Sequence, residues 1–282
     1  MIFFRIHLCC EATGNTSYAI ATMVSSADYT IGANVLQFSL KKFLDPTVLQ
    51  NVTFVALLIE GKSENKIIES DLGPDWQRRY VTLISPAQDG DVTFHRFKEQ
   101  FTKLHLWQMI EFNRILYLDC DTLVVGDVSP MLVAVNRNFA AVHDFEQGKI
   151  VTTFNMGVAS LVPNISEFER LDKLRQSKRD YRLQMGEQGF LNAVYNSDYH
   201  EFPFEYSGNL AAAVQNREFW DLHSKQLRVI HYTWIKPFHR RRNSNLEIEN
   251  CYGDCKKCDD VLKQWWTIYD EMKKVKQLLT LI

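Results

Sequence analysis

Two carboxylates separated by one residue, Asp119 and Asp121, follow the apolar run Ile115–Leu118. Ionised carboxylates this close repel each other, and each raises the pKa of the other unless a cation lies between them. Carboxylate oxygens suit Mg²⁺ and Mn²⁺, which also keep water and phosphate oxygens in their coordination shells. The pair therefore indicates a divalent metal that carries a substrate diphosphate. The tripeptide alone leaves open a solvated acidic turn after a strand.

The run before these carboxylates has the continuous hydrophobicity of a buried parallel strand. Side chains on an extended backbone alternate between the two faces of a sheet, so Asp119 and Asp121 are expected to point one way. Cys120 between them is expected to point into the core. Ligands in open α/β sheets bind at the carboxyl ends of the strands, which is where this strand delivers the two carboxylates.

The preceding segments read as βαβ units, which parallel strands require. The predicted elements are a strand at Tyr18–Val24, a polar turn, a helix from about Thr30 to Lys42, and strands at Val52–Ile59 and Val81–Ile84. A first strand that ends in a small polar loop is a natural seat for a nucleotide.

The remaining elements alternate in the same way. They are predicted as a helix at Phe94–Phe112 that contains Lys103, strands at Phe139–His143 and Thr152–Val162, helices at Ile165–Arg175 and Phe190–Tyr195, a strand at Leu227–Ile230 that delivers His231, and a last helix that Asp259 can cap. We interpret this last helix as a packing brace.

The bulk composition narrows the class of protein. The chain has 282 residues, 46% of them hydrophobic, which is enough for a full core in one large domain or two small ones. With 32 basic and 34 acidic residues, its charge does not suggest a nucleic-acid partner. No apolar run is long enough to span a bilayer. We therefore expect a cytoplasmic protein, or a secretory-pathway protein if an upstream anchor has been removed.

Three cysteines near the C-terminus, Cys251, Cys255 and Cys258, have the spacing of the iron–sulfur signature of radical SAM enzymes. That motif is expected early in a chain, after the first strand of a barrel, so the late position argues against it. A zinc site needs a fourth ligand, for which His239 is the nearest candidate. A local disulfide or free thiols are favoured.

Six blocks in this order resemble glycosyltransferase family 8. They are the strand, turn and helix at Thr22–Leu40, followed by Thr102–Trp107, Leu118–Val124, Phe154–Val158, Gly186–Asn192 and His231–Pro237. The resemblance implies a GT-A fold, an α/β architecture with a mostly parallel central sheet flanked by helices. It implies one glycosyltransferase domain over residues 1–282, with a core at about 18–238 and a C-terminal extension whose helix covers about 259–280.

The resemblance also implies a retaining transferase that uses Mn²⁺ or Mg²⁺ and moves a hexose-type sugar from a UDP-sugar to a sugar, protein or lipid acceptor. Family members often dimerise. Carried over by position, the metal ligands would be Asp119, Asp121 and His231. Donor-binding residues would be Val24, Ser26, Tyr29, Lys103, Cys120, Asn155, Gly157 and Lys236. Catalytic residues would be Glu187, Gln188 and Lys103.

Some of these residues have ordinary structural interpretations. Tyr29 could equally be a packing residue at the start of a helix. Without the resemblance, the pair Glu187 and Gln188 would read as a normal helix N-terminus. A lone histidine at a strand end is more often structural, but Lys236 and Pro237 downstream favour a ligand role for His231.

The chain departs from the family pattern at three places. Glu187 stands where many relatives have Asp. Trp234 lies where a Gly is usual, and Phe238 replaces a usual Trp. Residues 210–220 also lack the Tyr that glycogenins glucosylate on themselves, so self-priming of glycogen is the less favoured role.

Two other function classes stay open at this point. A nucleotidyltransferase has a similar sheet and acidic metal site, but it would need a Gly-rich basic loop after the first strand, and residues 25–28 are Ser-Ser-Ala-Asp. The third possibility is a non-catalytic module that binds UDP-sugars, which the substitutions near Trp234 leave open.

Overall fold

A computed structural model describes residues 16–87, 97–177, 181, 185–240, 248 and 253–279. Within these ranges the strands are β1 (Tyr18–Met23), β2 (Val52–Ile59), β3 (Gln77–Val81), β4 (Arg114–Leu118), β5 (Thr122–Val124), β6 (Phe139–Glu146), β7 (Lys149–Leu161), β8 (His200–Phe202), β9 (Gly208–Asn209) and β10 (Val229–His231).

The α-helices of the described ranges are α1 (Thr30–Phe43), α2 (Pro46–Leu49), α3 (Asn65–Asp71), α4 (Phe97–Gln100), α5 (Pro130–Val133), α6 (Ile165–Gln176), α7 (Gly186–Tyr195), α8 (Leu210–Gln215), α9 (Arg217–His223), α10 (Asp254–Lys257) and α11 (Asp259–Leu279). Turns of 3₁₀-helix lie at Ala27–Tyr29, Phe101–Gln108, Phe204–Tyr206, Ser224–Gln226 and Pro237–His239.

Seven of the described strands form the central sheet, in the order β3-β2-β1-β4-β7-β6-β8. The strands β3, β2, β1 and β4 run parallel, whereas β7 is antiparallel to both β4 and β6. The chain moves outward from β1 to β3 and then returns to the other side of β1 as β4. The carboxyl ends of β1 and β4 therefore flank a topological switch point, where ligands bind in open α/β sheets.

A smaller sheet has the order β5-β10-β9 within the described residues. The strand β5 begins directly after Asp121, and β10 pairs antiparallel with it so that His231 faces Thr122. On its other side β10 runs parallel to β9, which places His231 beside Asn209. This pairing is why a residue more than a hundred positions downstream lies at the end of β4.

Apolar side chains fill both faces of the central sheet, as a mostly parallel sheet requires. The strand β4 is buried throughout, as is the inner face of α1. A further cluster joins α11, through Val261, Trp265 and Ile268, to α8 and the small sheet. The prediction that the last helix packs as a brace is confirmed by these contacts.

Three predictions about individual elements were wrong. The third strand is Gln77–Val81 rather than Val81–Ile84. It lies at the edge of the sheet, where exposed polar side chains are tolerated, and residues 82–84 have no regular structure. The predicted helix at Phe94–Phe112 is α-helical only at Phe97–Gln100, continues as 3₁₀-helix and ends at Gln108, while residues 94–96 lie outside the described residues.

The third error concerns the two carboxylates. The strand β4 ends at Leu118, so Asp119 and Asp121 lie in a turn rather than on extended backbone. The backbone N–H of Thr122 donates to the carbonyl of Asp119 across 3.0 Å and closes this turn. The side chains converge because the chain turns, and not because strand side chains alternate. Cys120 does point into the core, where it is buried.

In the described part of the chain, no helix is long and apolar enough to cross a membrane.

Candidate active site

A cavity of about 640 Å³ opens at the switch point between β1 and β4. The loop after β1, the turn after β4, the hairpin of β6 and β7, the start of α7 and the segment after β10 all contribute to its lining. All the predicted site residues line this cavity except Val24. The side chain of Val24 is buried in the core, and its N–H donates to the carbonyl of Leu57.

Asp119, Asp121 and His231 converge on one point of the cavity. The Nε2 atom of His231 lies 3.3 Å from Oδ1 of Asp121 and 3.9 Å from Oδ2 of Asp119. One ligand atom from each residue lies within 4.8 Å of the others, the one such group among the described residues. The N–H of Tyr232 donates to the carbonyl of Asp121 across 2.9 Å and fixes the two segments together.

The space among these three side chains depends on Gly157 in β7. A Cβ atom on Gly157 would lie 2.1 Å from Cε1 of His231 and 2.8 Å from Oδ2 of Asp119. Among the described residues, Oδ1 of Asp121 and Nδ1 of His231 are buried atoms without a hydrogen bond. Two carboxylates, one of them with an oxygen that lacks a hydrogen bond, and an imidazole form a suitable donor set for a divalent cation such as Mn²⁺. The residues present therefore fit such an ion.

Lys236 approaches the same carboxylates from the loop after β10. Its ammonium forms an ion pair with Oδ2 of Asp121 and donates to the carbonyls of Tyr232 and Thr233 across 2.5 and 3.0 Å. Burial opposes ionisation of Asp121, but Lys236 and His231 outweigh it and hold the pKa of this carboxyl well below its usual range. Asp121 is therefore ionised and able to bind a cation at neutral pH.

Lys103 lies on the other side of Asp119 and is almost fully buried. Its Nζ atom is 3.0 Å from Oδ1 of Asp119 and 2.8 Å from Oε1 of Glu187. Burial disfavours the charged amine, but the two carboxylates raise the pKa of Lys103 above its usual value. Burial raises the pKa of Glu187, and the ion pair with Lys103 opposes that rise. The ring of Tyr117 lies 4.9 Å from Nζ, and its hydroxyl donates to Oδ1 of Asp119 across 2.6 Å.

A polar network around Asp144 was missed by sequence analysis. Oδ2 of Asp144 accepts from Asn155 across 3.1 Å and from Gln188 across 3.0 Å, while Oδ1 accepts from Asn209 across 2.8 Å. The predicted strand ended at His143, so Asp144 was a polar residue just beyond a strand end, and this signal could have identified it. The network fixes the side chains of Asn155 and Gln188 at the cavity wall.

The loop after β1 forms the opposite end of the cavity. Ser26 and Tyr29 line it, and the ring of Tyr29 packs edge-on against Phe238 at 5.3 Å. The two interpretations of Tyr29, ligand contact and packing residue, are thus compatible. Cys120 reaches the cavity from beneath this loop, and its thiol donates to the carbonyl of Met23 across 3.2 Å. Burial raises the pKa of that thiol, so it is neutral.

The C-terminal cysteines divide into two kinds. Cys255 is in a disulfide bond, whereas Cys258 keeps a free buried thiol. Cys251 lies outside the described residues.

Comparison with known proteins gives a consistent match to one family. The model of "Glycosyl transferase family 8" matches residues 22–241. The chain is 25% identical to glycogenin of Neurospora crassa over 60% of this chain and 23% of that protein. It is 24% identical to galactinol synthase 1 of Arabidopsis thaliana over 89% of this chain and 78% of that protein. The chain thus spans less than a quarter of the first relative's length and most of the second's.

Among solved structures, the galactosyltransferase LgtC in complex with donor and acceptor sugar analogues has the same fold. The TM-score is 0.55, with 16% sequence identity over 90% of this chain and 95% of that chain. At this identity the likeness establishes the GT-A fold alone.

Proposed function

The chain belongs to glycosyltransferase family 8, and from this premise we propose that it is a metal-dependent, retaining transferase. It moves a hexose-type sugar from a UDP-sugar to an acceptor hydroxyl. The observation that carries the proposal is the convergence of Asp119, Asp121 and His231 around the space left by Gly157. In this proposal the whole chain is one domain around the cavity, with α11 as its brace.

The donor lies across the switch point. Its uracil and ribose occupy the end of the cavity formed by Ser26 and Tyr29, and its diphosphate reaches the turn after β4. Lys236, held at the wall by two carbonyl groups, meets the diphosphate as a point charge. The sugar points toward Asn155 and Gln188, whose side chains the Asp144 network holds in place.

Asp119, Asp121 and His231 would hold the ion, with Nε2 as the imidazole ligand because it faces the carboxylates. When bound, Mn²⁺ or Mg²⁺ supplies positive charge that stabilises the departing diphosphate. Tyr117 and Lys103 orient Asp119 through its other oxygen, Oδ1. Lys236 adds positive charge beside the leaving group and so favours cleavage of the sugar–phosphate bond.

Two carboxylates lie on the sugar side of the cavity, and both already interact with other side chains. Glu187 is paired with buried Lys103, and Asp144 accepts hydrogen bonds on both oxygens. These contacts favour a positioning role for both residues over a nucleophilic one. They support attack by the acceptor hydroxyl from the face that the diphosphate leaves, with the departing phosphate oxygen taking the acceptor proton. That route retains the anomeric configuration.

The test is release of UDP from a panel of UDP-sugars in the presence of Mn²⁺ without added acceptor. We expect slow hydrolysis of at least one donor, its loss on addition of EDTA, and a fall of at least about 100-fold in Asp119→Asn and Asp121→Asn. Asp75→Asn is the matched control, because Asp75 is a surface carboxylate paired with Lys41. Full activity in both site variants, or hydrolysis unaffected by EDTA, would contradict the proposal.

A further inference from the structure

All six tryptophans lie in the described residues, and five of them are buried or partly buried. Trp234 is the exception, with 53% of its surface exposed, and it lines the mouth of the cavity. It makes no ring–ring contact within the described parts of the chain. An exposed large aromatic side chain at a cavity mouth is typical of a ligand contact.

The backbone on both sides of Trp234 is tied down. The hydroxyl of Thr233 donates to Oδ1 of Asn209 across 2.6 Å. On the other side, Lys236 donates to the carbonyls of Tyr232 and Thr233. These hydrogen bonds restrain the backbone from which the indole projects, although the ring itself packs on little protein. A preorganised aromatic surface loses little conformational entropy when a ligand binds to it.

Trp234 follows a residue that is hydrogen-bonded to the Asp144 network, because Thr233 donates to Oδ1 of Asn209 and Nδ2 of Asn209 donates to Oδ1 of Asp144 across 2.8 Å. The loop after β1 lies on one side of β4, and the hairpin of β6 and β7 lies on the other. Trp234 follows β10, whose partner β9 leads directly into α8. The backbone next to Trp234 is thus fastened to the part of the cavity bordered by that hairpin and by α8. We call this part the outer lobe, defined by Asp144–Gln147, Ala211, Gln215 and Trp234.

The tip of the hairpin is fastened to α8. The N–H of Gly148 donates to Oε1 of Gln215 across 2.9 Å, and Nδ2 of Asn216 donates to the carbonyl of Gly148 across 2.9 Å. Positive φ angles of 52° at Gln147 and 80° at Gly148 form the tight turn. Glu146 and Gln147 line the cavity beside this fixed tip. They supply carboxylate and amide groups for hydrogen bonds.

We propose that the outer lobe is the acceptor subsite and that its ligand is a polyhydroxylated six-membered ring stacked on Trp234. Such a ring has an apolar face of C–H groups that can cover the indole, and a rim of hydroxyl groups that Glu146, Gln147 and Gln215 can bind. Both a pyranoside and a cyclic polyol have this apolar face and this rim of hydroxyl groups. This inference rests on the proposed function, because the outer lobe lies beside the proposed donor site.

The composition of the outer lobe favours a ring over an acyl chain or a peptide segment. A lipid chain would need a continuous apolar channel, whereas the outer lobe combines the apolar residues Phe145, Ala211 and Trp234 with the polar residues Asp144, Glu146, Gln147 and Gln215. An extended peptide would need backbone groups for strand pairing, and the hairpin tip that borders the lobe already binds α8 through its N–H and its carbonyl.

The experiment compares Trp234→Ala, Trp234→Phe and the wild type, with Tyr80→Ala as an exposed aromatic control on β3, outside the cavity. Each protein is assayed for UDP affinity, for hydrolysis of the donor with Mn²⁺, and for stimulation of UDP release by methyl pyranosides and by inositol. Saturation-transfer NMR with the same ring compounds measures their binding directly. Comparison of the methyl pyranosides with inositol shows whether the ligand is a sugar ring or a cyclic polyol.

We expect Trp234→Ala to keep UDP affinity and donor hydrolysis within about twofold and to raise the KM for the ring acceptor about tenfold or more. Trp234→Phe should recover most of this loss, because a stacking face is restored, and Tyr80→Ala should behave like the wild type. Unchanged acceptor KM in Trp234→Ala would overturn the inference. So would a loss of UDP affinity without a change in acceptor KM, or failure of every ring compound to bind. A wild-type protein that binds no UDP would instead contradict the proposed function.

Discussion

Gly157→Ala is the smallest change that tests how the proposed metal ligands are placed. Gly157 lies in β7 where the strand passes the ends of β4 and β10. The added Cβ atom would lie 2.1 Å from Cε1 of His231 and 2.8 Å from Oδ2 of Asp119. The substitution adds one methyl group and changes no charge, so its effect reports on the space between these two side chains.

The magnitude follows from the distances. The contact with Cε1 must widen from 2.1 Å to at least 3.4 Å, a shift of about 1.3 Å. Ligand distances in metal sites tolerate only about 0.2 Å. His231 is held by strand pairing on both sides of β10, and Asp119 is held by Tyr117 and Lys103, so neither can move freely. We expect kcat/KM to fall about 100-fold, equivalent to roughly 2.7 kcal/mol of transition-state stabilisation.

Two measurements separate a distorted site from an unfolded protein. Titration with Mn²⁺, followed by its electron paramagnetic resonance signal, measures the affinity for the ion. Urea unfolding measures the stability, which overpacking should lower by about 1–3 kcal/mol. Gly73→Ala is the control, because its Cβ would meet Oδ1 of Asn34 at 3.1 Å, and Gly73 does not line the cavity. It should leave affinity for Mn²⁺ unchanged.

A folded Gly157→Ala protein that binds Mn²⁺ with the wild-type affinity would contradict this expectation. In that case His231 or Asp119 could not be a ligand in the arrangement that this structure has. A loss of affinity in Gly73→Ala of the same size would also refute it, since the effect would then not be specific to the metal site.

Three further predictions concern groups around the same site. Tyr117→Phe removes the hydroxyl that orients Asp119, so we expect about tenfold weaker binding of Mn²⁺ by titration, with a loss of at most about 1–2 kcal/mol in urea unfolding. Tyr232→Phe removes the 3.0 Å hydrogen bond to a carbonyl of α11 and should lower the unfolding free energy by about 1–3 kcal/mol. Burial opposes ionisation of Asp121, but Lys236 and the imidazole of the site hold its pKa below the ordinary 3.8. The ionised carboxyl of Asp121 therefore stabilises the folded protein above that pH, and this stabilisation is lost as the pH falls below it. We expect the Tm of the metal-free protein to fall less steeply at acid pH in Asp121→Asn than in the wild type.

Each of these expectations has a contrary result. Wild-type affinity for Mn²⁺ in Tyr117→Phe would mean that Lys103 alone orients Asp119. No loss of stability in Tyr232→Phe would mean that α11 does not depend on that hydrogen bond. If Tm falls as steeply at acid pH in Asp121→Asn as in the wild type, other carboxyl groups cause the loss of stability at acid pH.

The sequence predicted the parts of the fold that depend on local burial. The strand Val52–Ile59 was predicted with its observed bounds, because a strand buried on both faces reads as a continuous apolar run. The strand β3 was misplaced because an edge strand needs no such run. The 3₁₀ geometry of Phe101–Gln108 was also missed, since its apolar spacing resembles that of an α-helix.

In the candidate site too, features close together in the sequence could be predicted, whereas contacts between distant residues could not. The spacing of Asp119 and Asp121 indicated a metal site but left a solvated acidic turn open, and the turn that brings the two carboxylates together was not predicted. The hydrogen bond from Asn209 to Asp144 could not be predicted, because it joins residues 65 positions apart on strands of two different sheets. The resemblance to the family placed His231 beside the carboxylates, and the physical cause, its pairing opposite Thr122, is a property of the fold.

The central claim is that one divalent ion joins the substrate diphosphate to Asp119, Asp121 and His231. The most direct test is calorimetric titration of the protein with UDP, with Mn²⁺ and with EDTA, in the wild type and in Asp121→Asn. We predict that Mn²⁺ strengthens UDP binding at least about tenfold in the wild type and has no effect in the variant. Equal affinity for UDP with Mn²⁺ and with EDTA in the wild type, or the same strengthening by Mn²⁺ in Asp121→Asn, would contradict the claim.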